Sequence, residues 1–86
     1  MNINQLIAIV KNKLEAEIII QDLIIEDKSF LHKNHVGHQK GKFHLKLTIK
    51  SDELAKFNKI VSTKRVYSTL EAELKEHIHS LQILFN

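Results

Sequence analysis

The sequence predicts an α+β fold, a two-layer αββααβ sandwich whose three strands form one sheet with the helices packed on one face. Three observations carry that prediction. Apolar residues recur at helical spacing near the N-terminus, residues 42–50 alternate strictly, and residues 78–85 return to strand composition after a helical stretch. The 86 residues suit a single domain, 1–86, with no internal repeat and no linker.

Ile3, Leu6, Ile7, Val10 and Leu14 fall on one helical face, so residues 3–16 read as an amphipathic helix capped by Asn2 or Asn4. Residues 18–26 (IIIQDLIIE) are rich in β-branched Ile and interrupted at Gln21 and Asp22, the mark of a strand or of a short turn leading into one. Residues 27–41 are polar, rich in Lys and His, and hold both glycines. A loop of that length in so small a domain is a candidate functional loop. In residues 42–50 (KFHLKLTIK), Phe43, Leu45, Leu47 and Ile49 face one way, and Lys42, His44, Lys46, Thr48 and Lys50 face the other. That is a half-buried strand with a basic open face. Ser51 caps a second helical stretch, with Asp52 and Glu53 favourable in its first turn. The stretch breaks near residues 58–59. Ser62 or Thr63 then caps a further helix with Val66, Tyr67, Leu70 and Leu74 on one face and His77 near its C-terminus. Residues 78–85 form the last strand.

Composition excludes several function classes. With no Cys there is no disulfide, no Cys nucleophile and no thiolate-only metal site. The longest apolar runs, residues 6–10 and 18–20, fall far short of the roughly 20 residues that span a bilayer. No basic segment precedes the first run, so a signal peptide is not expected, and the chain reads as a soluble cytoplasmic protein with no membrane association. An enzyme is not expected either: there is no phosphate-cradling glycine loop, and no Ser/His/Asp set stands in a suitable context. The formal charge of +3 is unevenly spread, with +8 between Lys28 and Arg65 and −5 over the remainder. Such a basic segment is either a solvated surface or a means of steering an anionic partner. Lys46, Lys59, Lys64 and Arg65 are its candidates for nucleic-acid contact. One Arg and no Trp leave bidentate base readout poorly supplied.

Several short motifs stand in a telling order: Asp27-x-Ser29-x-x-His32, His44-Leu45, Ser51 after the alternating strand, Val66-Tyr67-x-x-Leu70, and Ile78-His79-Ser80-Leu81. Together they resemble the BolA family over nearly the whole chain, the last resembling that family's Ile/Val-His-Ala-Leu signature. The resemblance implies the αββααβ arrangement related to class II KH domains. One departure concerns the Arg-His-Arg stretch that precedes Val-Tyr in many BolA proteins. Ser62, Thr63 and Lys64 occupy those places, with Arg65 one place later, and Leu54 and Lys56 stand for the upstream Phe and Gly. The helix-turn-helix-like surface credited with DNA contact in some members is therefore altered.

Histidine is the remaining source of chemistry. Three of the six lie in one loop as His32-x-x-His35-x-x-His38. Neutral imidazole is a borderline ligand for zinc, copper and iron, so the trio reads as solvated or as metal-binding. From the residues alone, His79 shares strand parity with Leu81, Ile83 and Phe85 and reads as a packed, hydrogen-bonded histidine. His44 is assigned to the basic strand face and His77 to a helix C-terminus, while Asp27 and Ser29 organise the start of the loop. Two histidines do not complete a closed tetrahedral site.

The family resemblance supplies what is missing. BolA-like proteins pair with monothiol glutaredoxins and share a [2Fe-2S] cluster, to which glutaredoxin and a glutathione bring thiolates. The BolA side brings the signature His and a His or Cys from the loop. Carried onto this chain, the ligands are His79 and either His32 or His35. The implied protein is a monomer that forms a heterodimer with glutaredoxin and acts in iron–sulfur cluster assembly, trafficking or iron sensing. The alternative is a DNA-binding transcriptional regulator with a KH-like or helix-turn-helix-like basic surface, although a Gly-x-x-Gly clamp is absent.

Overall fold

A computed structural model describes residues 1–29 and 42–86. Most of the long loop, with His32, His35 and His38, lies outside the described residues.

Helix α1 (Ile3–Glu17) starts with a reciprocal cap, in which the Asn2 side chain accepts from the Gln5 N–H at 2.8 Å and the Gln5 side chain accepts from the Asn2 N–H at 3.0 Å. Its buried stripe is Leu6, Val10 and Leu14. The chain then turns extended at Ile18, which is itself buried, and strand β1 (Asp22–Asp27) begins only after residues 18–21 have passed the end of the sheet. Ile18 closes the core and the Ile19 carbonyl serves Ser51, so the Ile-rich run is shared between a helix end and a strand.

Strand β2 (Phe43–Lys50) is central. It runs antiparallel to β1, with Asp22 opposite Lys50 and Asp27 opposite Leu45, and parallel to strand β3 (Ile78–Phe85), with Leu45 opposite Leu81 and Ile49 opposite Phe85. A parallel pair needs a long crossover, here built from the helical segments between residues 54 and 76.

Ser51 acts as the expected cap, its Oγ accepting the Leu54 N–H at 3.1 Å while donating to the Ile19 carbonyl at 2.7 Å. The segment it caps is one 3-10 turn, Leu54–Lys56, rather than a helix. Phe57 returns to extended backbone, and Asn58 caps helix α2 (Lys59–Thr69) by accepting from the Val61 N–H at 2.9 Å. The caps expected at Ser62 or Thr63 are therefore displaced by one turn. Ser62 is buried inside α2 and donates to the Leu54 carbonyl at 2.9 Å, tying the turn to the helix. Helix α3 (Glu71–Glu76) comes after Leu70 and ends at His77.

One core joins the layers: Leu6, Val10 and Leu14 from α1, Leu45, Leu47 and Ile49 from β2, Val66 and Leu70 from the α2 region, and Ile78 from β3. The buried Glu73 carboxylate pairs with Lys13 at 2.8 Å and holds α3 against α1. The αββααβ order expected from the sequence is present as α1, β1, β2, α2, α3 and β3, but the expected second helix is the single turn at Leu54–Lys56 and the expected last helix is divided at Leu70 into α2 and α3. The opposite face of the sheet carries no helix among the described residues.

Candidate functional site

The pairing of β2 with β3 slips by one residue at its start. Phe43 lies opposite Ile78, yet the next residue, His44, lies opposite Ser80. His79 is thus an extra residue in β3, a bulge of the kind that re-aims a side chain. The bulge overturns the parity read from the sequence. Leu81, Ile83 and Phe85 pack on the core, whereas His79 is exposed.

Its ring meets His44. His79 Nδ1 lies 3.3 Å from His44 Nε2, and the two rings stand edge to face at 61° with centroids 4.8 Å apart. His44 is only 5% exposed, a correction to its assignment on a solvated basic face. Alternation does turn it away from Leu45 and Leu47, but the bulged neighbour brings Ser80 and His79 against it. Ser80 Oγ lies 2.6 Å from His44 Nδ1.

The backbone of His44 is fixed just as firmly. Its N–H donates to Ser29 Oγ at 3.1 Å, and its carbonyl accepts the Lys28 N–H at 2.7 Å. Asp27 accepts the Ser29 N–H at 2.9 Å, a local turn that aims the Ser29 hydroxyl at β2. Asp27 and Ser29 therefore organise the start of the loop as expected, and they do so by gripping His44.

With Nδ1 turned to His44, Nε2 of His79 has no hydrogen-bond partner among the described residues. A neutral imidazole held through one nitrogen and open at the other is a usual form of a metal ligand. Among the described residues no group of three or more His, Asp or Glu side chains converges to hold a metal ion. The donor set present here fits one corner of a site completed by other ligands. Sequence reasoning missed His44 and Ser80, since a bulge leaves no periodic trace.

The basic candidates do not form one surface. Lys46 lies on the open face of the sheet opposite Glu26, while Lys59 and Lys64 are exposed on α2 in the other layer. Arg65 is bound to Glu53 at 2.6 Å and to the Glu17 carbonyl at 3.4 Å, and stacks its guanidinium 5.9 Å from the Phe57 ring centre. The guanidinium hydrogen bond, aided by the Ile19 N–H, holds the Glu53 carboxyl below the usual carboxylate range. A groove of about 560 Å³ lies between α1 and α2 beside Lys13 and Arg65, both already paired. Among the described residues no helix is long and apolar enough to cross a membrane.

A family model described as BolA-like protein matches residues 14–85, and the chain belongs to the BolA family. It is 31% identical over 75 residues to the DNA-binding transcriptional regulator BolA of Haemophilus influenzae, an alignment covering 87% of this chain and 70% of that protein. To the SufE-like protein 1, chloroplastic/mitochondrial, of Arabidopsis thaliana it is 30% identical over 80 residues, covering 87% of this chain but 22% of that much longer protein. In three dimensions it is similar to the BolA domain of SufE1 from Arabidopsis thaliana, with a TM-score of 0.79 at 27% identity over 100% of this chain and 93% of that one. BolA1 from Arabidopsis thaliana gives a TM-score of 0.76 at 27% identity, over 91% of this chain and 86% of that one.

Proposed function

We propose that this BolA-family chain is an adaptor that binds a monothiol glutaredoxin and shares a [2Fe-2S] cluster with it, in iron–sulfur cluster assembly, trafficking or iron sensing. The observation that carries the reading is the exposed ring of His79 on its bulge, bonded through Nδ1 to the buried His44. That ring offers one nitrogen ligand through Nε2. The segment that contains His32 and His35 follows Ser29, which lies beside His44, and the three Cα–Cα steps from Ser29 to His32 span at most about 11 Å. Either loop histidine supplies the second ligand in this reading, and thiolates of glutaredoxin and glutathione supply the others. Imidazole ligation raises a cluster's reduction potential above that of all-thiolate ligation and is lost on protonation. Those properties suit transfer or sensing. The chain's own part is to bind and to orient a ligand, not to catalyse.

Mixing the protein with glutathione-bound, cluster-loaded monothiol glutaredoxin and recording visible circular dichroism tests the reading. A new spectrum with the wild type and none with His79→Ala is expected. An unchanged spectrum, or one that His79→Ala reproduces, overturns it.

A second reading, a DNA-binding regulator, is favoured by the bacterial relative's description and by the exposed Lys59 and Lys64. Arg65, turned inward to Glu53, is withdrawn from that role. Titrating labelled duplex DNA at several salt concentrations separates the cases. Binding that vanishes by physiological salt is only the non-specific phosphate term, and specific binding in which Lys64→Ala lowers the salt slope by about one supports the regulator.

A further inference from the structure

We infer that Ser80 and His44 are positioning residues that decide which ring nitrogen of His79 carries its proton. The inference rests on the reading of His79 as a ligand through Nε2. Three groups form a line through the buried His44 ring, with the exposed Ser80 and His79 at its two ends: Ser80 Oγ lies 2.6 Å from His44 Nδ1, and His44 Nε2 lies 3.3 Å from His79 Nδ1. Two proton arrangements satisfy both contacts. In one, Ser80 donates to His44, His44 donates to His79, and the outward Nε2 of His79 bears the proton. In the other, His79 donates to His44 and His44 donates to Ser80, leaving a lone pair on Nε2. Only the second presents a ligand.

The line can act as a unit because its middle member cannot turn. His44 is buried, sits on the central strand and has its backbone tied to Ser29 and Lys28 on one side and to β3 on the other. The bulge sets His79 and Ser80 on the same ring in consecutive positions, which regular alternation forbids. Ser80 stands where the signature Ile/Val-His-Ala-Leu has alanine, so the outer hydroxyl is a feature of this chain's own sequence. A second partner that orients a metal-ligating histidine is commonly worth ten- to a hundredfold in metal affinity.

Ring ¹⁵N–¹H correlation spectra of the full, metal-free chain test this without any cluster. In the wild type the neutral His79 ring should carry its proton on Nδ1. Ser80→Ala, which restores the signature residue and therefore keeps the fold, should move His79 toward the Nε2–H form that an unconstrained histidine favours. Ser80→Thr should retain the wild-type pattern, and His44→Phe should abolish it. With Zn²⁺ alone as probe, the affinity read at the His79 ring should fall about tenfold in Ser80→Ala. An Nε2–H majority in the wild type, or an unchanged ring in Ser80→Ala, overturns the inference even if glutaredoxin shares its cluster. Conversely, failure of the glutaredoxin experiment with these shifts intact removes the cluster reading and leaves the positioning pair standing.

Discussion

The two ends of β2 are built from the same kinds of group and arrive at opposite results. At the Lys50 end, Ser51 both donates and accepts, the Gln21 side chain accepts the Asp52 N–H at 2.8 Å, and the Asn86 N–H donates to the Ile49 carbonyl at 2.9 Å. Glu53 takes up the Arg65 guanidinium and the Ile19 N–H. Each of these polar groups is directed back at the chain, and the end is closed. At the Phe43 end, Asp27, Ser29, Ser80 and His44 also bond to one another, but the line finishes on an exposed imidazole with a nitrogen to spare. A closed network contributes stability, whereas one left open at its last member gives up part of that contribution and leaves a ring nitrogen facing outward.

Four changes sharpen or break that contrast. Ser51→Ala should have the largest effect, about 2 kcal/mol, since it leaves the buried Leu54 N–H uncapped and removes the bond to the Ile19 carbonyl as well. The urea midpoint should fall at constant slope, with the His79 ring signals unmoved. Ser29→Ala removes one hydrogen bond to the His44 backbone and should cost about 1 kcal/mol, accompanied by a change at the His79 ring that Ser51→Ala does not produce. Acid is a smaller probe of the closed end. Because Glu53 titrates lower in the fold than unfolded, its contribution is complete above the ordinary carboxylate range of about pH 4.3 and is lost as pH falls through the folded value. Arg65→Ala should flatten that part of the stability–pH curve, measured by denaturant midpoints below about pH 5. His79→Ala should be the mildest, within about 0.5 kcal/mol of wild type. If it destabilised as much as Ser51→Ala, the open end would be structural and the contrast would fail.

Where local chemistry decides, the sequence was readable. The stripe of α1 and the alternation of β2 follow from period, the bounds of β3 from strand composition, and Ser51 announces a cap. Where partners distant in sequence decide, it was not. Ser62 has the chemistry of an N-cap, yet the Leu54 carbonyl claims its hydroxyl and Asn58 takes the helix start. The Ile-rich run has strand composition, but Ile18 is needed to seal the core and β1 starts later. At the site, the signature around His79 gave away the candidate, while its outward aim depends on a one-residue slip that no periodicity encodes. His44 was misplaced for the same reason.

The parallel pairing of β2 with β3 has a temporal side. His44 and His79 are 35 positions apart, and the strand that carries His79 is the last element of the fold. On a ribosome the partner imidazole for His44 does not exist until every helix has been made, and it is not delivered until the terminal strand has slotted in beside β2. A half-finished chain that lacks this strand therefore cannot assemble the corner, and its His44 ring has neither Ser80 nor His79 to meet.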